Sequence, residues 1–394
     1  MPKLILTLNA GSSSVKFAAF HADRGEDLRL LASGQIEGIG ASARGRVCTA
    51  GGEAQALMLN PAEGSGQDAA MAAIISWLRG AGLGDSVAAV GHRVVHGGPD
   101  LIDPIRVDAS SMEILKGLIP LAPLHQPHNL AGIDAAMKAF PGAPQIACFD
   151  TAFHRAHPFV SDTFALPRAF YDEGVRRYGF HGISYEYVSR KLKSLAPALA
   201  RGNTIIAHLG NGASMCALHD GRPVASTMAF TALDGLPMGT RCGQIDPGVL
   251  LYLLTEKKMD AAAISDLLYN KSGLKGMSGI SQDMRELETS NAPGARDAIA
   301  YFVSRLKEAI GGLAAILGGA DAIVFTAGIG EHAPGVRAAA LADMEWMGVK
   351  LDPDANLTSA LIISAPGSRT TVFVIPTNEE RMIAEHTANV AGIG

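Results

Sequence analysis

Short apolar runs alternate along this chain with glycine- and serine-rich turns, and longer stretches of helical period lie between them. Residues 4–8 read as a buried strand, 9–14 (NAGSSS) as a small-residue turn and 15–20 as a second strand. The same design returns later. An apolar run at 204–207 leads into Gly210-Asn211-Gly212-Ala213-Ser214, and a second apolar run follows at 215–218. An offset of 201 places Ile5, Leu8, Gly11 and Ser13 on Ile206, Leu209, Gly212 and Ser214. Two strand–turn–strand openings in one chain predict duplicated α/β domains. Each turn is a backbone concavity suited to phosphate.

The remaining pattern fills in that outline. Met71, Ile74, Ile75 and Leu78 recur at helical spacing within 68–79. Further helices are predicted at 110–119, 129–140, 184–195, 247–255, 260–270 and 297–317, and strands at 87–90, 145–149, 321–326 and 371–375. Residues 22–66, rich in small and polar residues, read as hairpins and loops with strand pieces around Ile36 and Val47. Pro120, Pro123 and Pro127 exclude a regular helix over 120–128. Residues 275–287 read as a loop leading toward a helix. Residues 327–332 read as a glycine turn before a helix that starts near Pro334.

Composition narrows the class. A chain of 394 residues exceeds one ordinary core and predicts two or three domains. A net charge of −5 argues against nucleic-acid binding, which needs a basic face. No run of 18 or more apolar residues is present, so no membrane span is expected, and the N-terminus reads as a first strand rather than a signal peptide. Cys48, Cys148, Cys216 and Cys242 form no close pair. They read as reduced thiols of a cytoplasmic protein, not as a disulfide frame or a zinc site.

Candidate chemistry sits at the ends of the predicted strands. Arg93 lies between glycines in GHRVVHGG, where it suits a carboxylate or a phosphate; an ion pair of purely structural value fits as well. Asp150 follows the 145–149 strand, placed for a metal, a nucleophile or a simple turn cap. Arg241 stands in a glycine-flanked loop, GTRCG, where it can neutralise charge during phosphoryl transfer. Lys16 follows the first turn, and His181 stands between an aromatic residue and a glycine just before a helix. Asp283 and Arg285 are candidates for nucleoside contacts. The acids of Pro376-Thr377-Asn378-Glu379-Glu380 can hold Mg²⁺ through a water shell. His125 and His128 have no cysteine or acidic cluster beside them and are not assigned a metal.

Nine blocks in one order carry a resemblance: LNAGSSSVKF, GHRVVHGG, LAPLH, FDTAFH, YGFHGISYEYV, AHLGNGAS, MGTRCGQIDPG, TAGIGE and IPTNEE. The chain resembles the acetate and propionate kinase family from about residue 6 to residue 384. That resemblance implies duplicated RNase H-like, actin-like ATPase domains with a cleft between them. They would span 1–149, completed by a C-terminal helix at about 380–394, and 150–379. It implies Mg²⁺, or Mn²⁺, held by Asn9 and Glu379, and ATP or ADP as co-substrate. Lys16 and the loop His208, Leu209, Gly210, Asn211, Gly212 would contact the phosphates. Asp283, Met284, Arg285 and Gly328, Ile329, Gly330, Glu331, His332 would line the adenosine site. Arg93 would bind the acceptor carboxylate, Asp150 would be the catalytic acid, and His181 and Arg241 would stabilise the transition state. Val95, Leu124, Phe180 and Ala232 would surround the acyl methyl of acetate or acetyl phosphate. A cytoplasmic homodimer is implied.

A carboxylate acceptor is already ionised at neutral pH and needs no general base. The expected mechanism is therefore direct in-line transfer, with Asp150 positioning groups more than moving protons. The sequence departs from the family pattern at Ala232, where a proline is usual, at Gln126 and at His332. Two alternatives stay open: a propionate or short-chain acyl kinase, and an actin-like ATP-binding module without an acceptor site.

Overall fold

The computed structural model describes residues 3–11, 14–22, 27–39, 43–59 and 66–393, so Ser12 and Ser13 of the first expected turn lie outside the described residues. Two units emerge, Met1–Phe153 with Asn378–Gly394, and His154–Thr377.

The first unit carries β1 (Lys3–Ala10), β2 (Ser14–Ala22), β3 (Arg29–Glu37), β4 (Arg44–Thr49), β5 (Ala54–Leu57), β6 (Val87–Val94), β7 (Ile105–Arg106) and β8 (Gln145–Phe149). Their order in the sheet is β5-β4-β3-β2-β1-β6-β8-β7. β1 pairs antiparallel with β2 and parallel with β6, and β6 pairs parallel with β8. Period-two alternation sends Leu4, Leu6 and Leu8 to one face. There they pack with Phe17, Ile36 and Val47 against Ile74 and Leu78 of the helix Gln67–Gly80. The C-terminal helix, Glu379–Ala391, packs close to β6. A methyl group on Gly91 would lie 2.1 Å from Thr387 Oγ1 and 2.7 Å from Ile383, so only glycine lets that helix approach. A second cluster gathers Val94 and Phe149 with Met112, Leu115 and Ile133.

The second unit carries β9 (Asn203–Leu209), β10 (Ala213–His219), β11 (Arg222–Ser226), β12 (Ala322–Thr326) and β13 (Thr371–Val374), in the order β11-β10-β9-β12-β13. β9 is antiparallel to β10 and parallel to β12, which is parallel to β13. Three antiparallel strands followed by two parallel ones is also the run β3-β2-β1-β6-β8. The duplication expected from two hairpins is thus a duplication of sheet topology. It is not a residue-by-residue repeat. The last pair is Ala10↔Val15 in one hairpin and Leu209↔Ala213 in the other, so the second turn is one residue shorter and no constant offset spans both strands.

Several boundaries differ from expectation. β6 runs to Val94, because Gly91 and His92 continue the pairing with Thr7 and Leu8, and Arg93 pairs with Cys148. Arg93 is therefore a strand residue rather than a loop residue. The helix Gln126–Ala139 starts three residues early, with Pro127 in its first turn, where a missing N–H leaves no bond unmade. Residues expected as loop form the helix Gly273–Ser278, which ends on left-handed Gly279, and Asp283 then caps the helix Met284–Thr289. Residues 327–332 are a short helix rather than a glycine turn; the Glu331 carboxylate accepts the N–H of Ala327 and holds its first turn. Asp150, expected to open the second domain, is tied to the first sheet by its N–H, which donates to Val94 O.

Candidate active site

In the first unit, adjacent parallel strands deliver the charged groups. β6 carries Arg93 and β8 ends one residue before Asp150. Arg93 Nε donates to Asp150 Oδ1 at 2.9 Å, and Nη2 donates to Oδ2 at 2.6 Å. The pair is bidentate, the strongest arrangement for guanidinium and carboxylate. Arg93 Nη1 points at Asn9 Oδ1, 3.4 Å away at the end of β1, and Glu379 Oε2 lies 3.9 Å from Nε. Asp150 is buried, while the Arg93 side chain keeps 21% of its exposure. Burial opposes the charge on Arg93, but Asp150 and Glu379 hold the guanidinium above its ordinary value. Burial raises the Asp150 carboxyl, Arg93 draws it back down, and Glu379 adds to the rise. With both oxygens accepting from a permanent cation, we assign the Asp150 carboxylate as ionised at neutral pH.

Glu379 and Glu380 occupy the first turn of the C-terminal helix, capped by Asn378, where the helix dipole favours negative charge. Burial, and then the neighbouring Glu379, raise the Glu380 carboxyl. Asn9, Asp150, Glu379 and Glu380 are oxygen donors crowded around one guanidinium. That donor set, with its uncompensated negative charge, fits a hard dication such as Mg²⁺. Asn129 ties the strand ends together, accepting from Val95 N at 3.0 Å and donating to Ala10 O. Val95 is buried and Leu124 exposed. Lys16 is exposed on β2, opposite Asn9.

The second unit presents two histidines linked to hydroxyl groups by hydrogen bonds, with Arg241 nearby. His181 stands before the helix Gly182–Leu195 in the left-handed region, at φ 58°. A histidine tolerates that backbone only when its surroundings fix it. Its Nδ1 bonds Ser214 Oγ at 2.8 Å, and Ser214 Oγ in turn bonds Tyr185 OH at 2.5 Å. The ring stacks on His208, with centroids 4.2 Å apart and planes 16° from parallel. His208 Nδ1 bonds Ser184 Oγ at 2.8 Å, and Ser184 bonds Thr377 Oγ1 at 2.7 Å. Ser184 and Tyr185 lie on the first turn of that helix, so one helix start addresses both histidines. A methyl group on Gly212 would stand 3.2 Å from His181 Nε2 and 3.9 Å from Arg241 Nη1. The tip of the β9–β10 hairpin therefore brings His181 and Arg241 together.

Arg241 Nη1 donates to Ala232 O at 3.0 Å. Its loop is pressed against left-handed Gly273, where a side chain would meet Met238 O at 2.1 Å. Phe180 is buried and Ala232 half-buried. At the hairpin tip Leu209 is buried, Asn211 is exposed, and Asn211 O accepts from Gly239 N.

The segments expected at adenosine divide. Gly328 and His332 are exposed, Ile329 is half-buried and Gly330 is buried. Glu331 Oε1 is occupied by Ala327 N at 2.7 Å and Thr377 N at 3.2 Å. Asp283 accepts from the backbone N–H and the guanidinium of Arg285, and Met284 is buried.

Sequence reasoning missed the groups that hold these residues: Tyr185, Ser184, Ser214, Thr377, Asn129 and Arg337. The first two stand three and four residues after His181, a helical spacing that was available as a signal. Arg337 gave none. It is fully buried in an alanine-rich helix and uses all its donors, on Gly330 O, Glu331 O, Asn356 and Ser359.

Known proteins of one kind resemble the chain along its length. The sequence profile of the Acetokinase family matches residues 4–385. An acetate kinase of Methylocella silvestris is 55% identical over 98% of both chains. One from Nitrobacter hamburgensis is 54% identical over 98% of this chain and 96% of its own. The crystal structure of Porphyromonas gingivalis acetate kinase superposes with a TM-score of 0.88 at 37% identity, covering 98% of this chain and 99% of that one. A propionate kinase from Francisella tularensis gives 0.91 at 34% identity, over 98% and 100%.

Proposed function

The chain belongs to the acetokinase family and is a phosphotransferase with actin-like ATPase-type domains, and from that premise we infer its substrates and the work of its residues. It transfers the γ-phosphoryl group of ATP to acetate, reversibly, giving acetyl phosphate and ADP. The observation that carries this reading is the pairing of Arg93 with Asp150 at the ends of adjacent parallel strands. Phosphoryl transfer between two anions is limited by charge. Arg93 binds the acceptor carboxylate. Asp150 fixes the plane of that guanidinium through both its oxygens, which supports a positioning role rather than proton transfer.

His181 and Arg241 stabilise the transferring group. The phosphate chain lies along Gly210, Asn211 and Gly212, with Lys16 as a further cation. The edge formed by exposed Gly328 and His332 with half-buried Ile329, together with Asp283 and Arg285, serves the nucleoside. Asn9 and Glu379 would hold Mg²⁺, directly or through water; when bound it neutralises charge on the β- and γ-phosphate oxygens. Val95, Leu124, Phe180 and Ala232 are assigned to the acyl methyl.

No helix among the described residues is long and apolar enough to cross a membrane. Cys48, Cys216 and Cys242 are free thiols, which supports a cytoplasmic location. The helix Pro247–Thr255 buries none of its residues and exposes Leu251, Tyr252 and Leu254, which supports a homodimer.

The test traps acyl phosphate with hydroxylamine after incubation with Mg·ATP and acetate, propionate or butyrate. Acetyl phosphate formed best, and lost in Arg241→Ala, is the expected result. Folded protein that binds ATP and forms no acyl phosphate with any acid overturns the reading. Ala232 favours a second reading, propionate, and the same assay separates the two.

A further inference from the structure

Beneath the relay of the second unit lies a cluster that the transfer reaction does not use. His154 and His157 stand three residues apart on a short 3₁₀ turn that closes when His157 N donates to His154 O. Their rings are 5.2 Å apart. Cys216 projects toward them from β10, its Sγ 3.9 Å from His154 Nδ1. One ring nitrogen from each histidine and the sulfur all lie within 4.8 Å of one another.

Hydrogen bonding selects the tautomer. His154 Nε2 lies 2.9 Å from Phe180 O, and a carbonyl only accepts, so Nε2 carries the proton and the Nδ1 lone pair faces the sulfur. Both ring nitrogens of His157 are buried without a hydrogen-bond partner. A buried polar atom left in that state costs about 1–3 kcal/mol. His154 and Cys216 are themselves fully buried.

We propose that His154, His157 and Cys216 form a binding site for a thiophilic cation, Zn²⁺ or Cu⁺. Two imidazoles and a thiolate match the donor preference of these ions and not that of Mg²⁺. Ligand atoms around such an ion stand roughly 3–4 Å apart, given metal bonds of about 2.0–2.3 Å, so the observed cluster needs little contraction. Binding replaces the Cys216 S–H bond by a metal–sulfur bond, and the proton leaves to solvent. The Phe180 carbonyl orients the His154 ring from its far side, as outer partners do for metal-bound histidine. Nearby cations are already matched, Arg155 by Asp162 at 2.9 Å and Arg177 by Asp234 at 3.7 Å. The absence of a close cysteine pair argued against zinc in the sequence. The site escapes that test because its sulfur arrives from a different strand.

The test uses the full chain stripped with a chelator and titrated with Co²⁺, read by its thiolate-to-cobalt charge-transfer band. One Co²⁺ per chain is expected, unaffected by excess Mg²⁺ and displaced by Zn²⁺ or, anaerobically, by Cu⁺; whichever displaces it identifies the ion. His157→Leu, on the partly exposed turn, should weaken binding at least about 100-fold, and Cys216→Ala should abolish the band. Circular dichroism checks that both variants fold, and His157→Leu decides if Cys216→Ala does not. No band, or a band that survives His157→Leu, overturns the proposal.

Discussion

The two units use one strand order to hold their site residues in different ways. In the first, β6 carries Arg93 and β8 leads to Asp150, and the chemistry there is a desolvated ion pair. In the second, the equivalent strands β12 and β13 lead to Ala327 and to the segment ending at Thr377. The chemistry there rests on hydrogen bonds: two stacked histidines held by Ser214, Tyr185, Ser184 and Thr377, with Arg241 beside the hairpin tip. A parallel strand end is a place where the fold leaves side chains open to a ligand. What stands there is free to diverge once the scaffold is duplicated. The ion-paired half depends on each partner to neutralise the other, whereas the hydrogen-bonded half loses only one modest bond at a time.

The largest effect is therefore expected from Arg93→Ala. It strands the buried Asp150 carboxylate, at a cost of about 3–5 kcal/mol of unfolding free energy. It also removes a charge-stabilising donor, with kcat down about 10³-fold. Urea unfolding of Arg93→Ala beside the Arg93→Ala/Asp150→Ala double variant checks the cause. The double variant should regain much of the stability and none of the activity. Equal stability of single and double variants would refute the stranded-charge account.

Acid should act next. His92, on β6, is buried against Gln145, its Nε2 2.8 Å from Oε1, and burial lowers its pKa from 6.5 to about 4 against that hydrogen bond. Between those values the unfolded chain binds a proton that the folded chain refuses. Stability is full above pH 6.5 and falls as pH drops toward 4, by about 3 kcal/mol from this residue. His92→Gln should flatten that part of the stability–pH curve, read by denaturant midpoints. An unchanged slope would mean that His92 is not the group responsible. Burial likewise lowers the pKa of His154 in the second unit to about 4, so acid sensitivity belongs to both units.

A smaller effect tests the hydrogen-bonded half. Tyr185→Phe removes the hydroxyl that fixes Ser214 and, through it, His181. The expected loss is about 1 kcal/mol in stability, with kcat down roughly tenfold and KM for ATP little changed. A rise in KM with kcat intact would place Tyr185 in nucleotide binding instead.

These residues also mark what the sequence made legible. The two hairpins were readable because apolar alternation bounded by glycine is a local signal, and the same holds for most helices. Arg93 stood out through its glycines. Its strand conformation did not, because pairing with β1 and β8 is a non-local fact that a glycine-flanked window obscures. The 327–332 segment read as a turn for the same reason: two glycines argue against a helix, and the Glu331 cap that rescues it shows only once the chain has folded. Arg337 was invisible, since a lone arginine among alanines looks solvated until five donors are seen to be occupied.

The smallest expected effect concerns Ala232. Its carbonyl, not its side chain or its N–H, accepts from Arg241 Nη1. Proline keeps a carbonyl, so Ala232→Pro should leave the arginine anchored and alter only the apolar wall. Residue 232 does not have positive φ, so the ring meets no obvious backbone conflict. Adding it should tilt the kcat/KM ratio toward acetate over propionate by about tenfold, the low end of the ~1–3 kcal/mol by which one methylene discriminates. Thermal stability and KM for ATP should stay unchanged. A fall in kcat with both acids would instead show that the ring displaces the carbonyl and, with it, Arg241. The hydrogen-bonded half would then be as sensitive to single changes as the ion-paired one, and the contrast between the two units would fail.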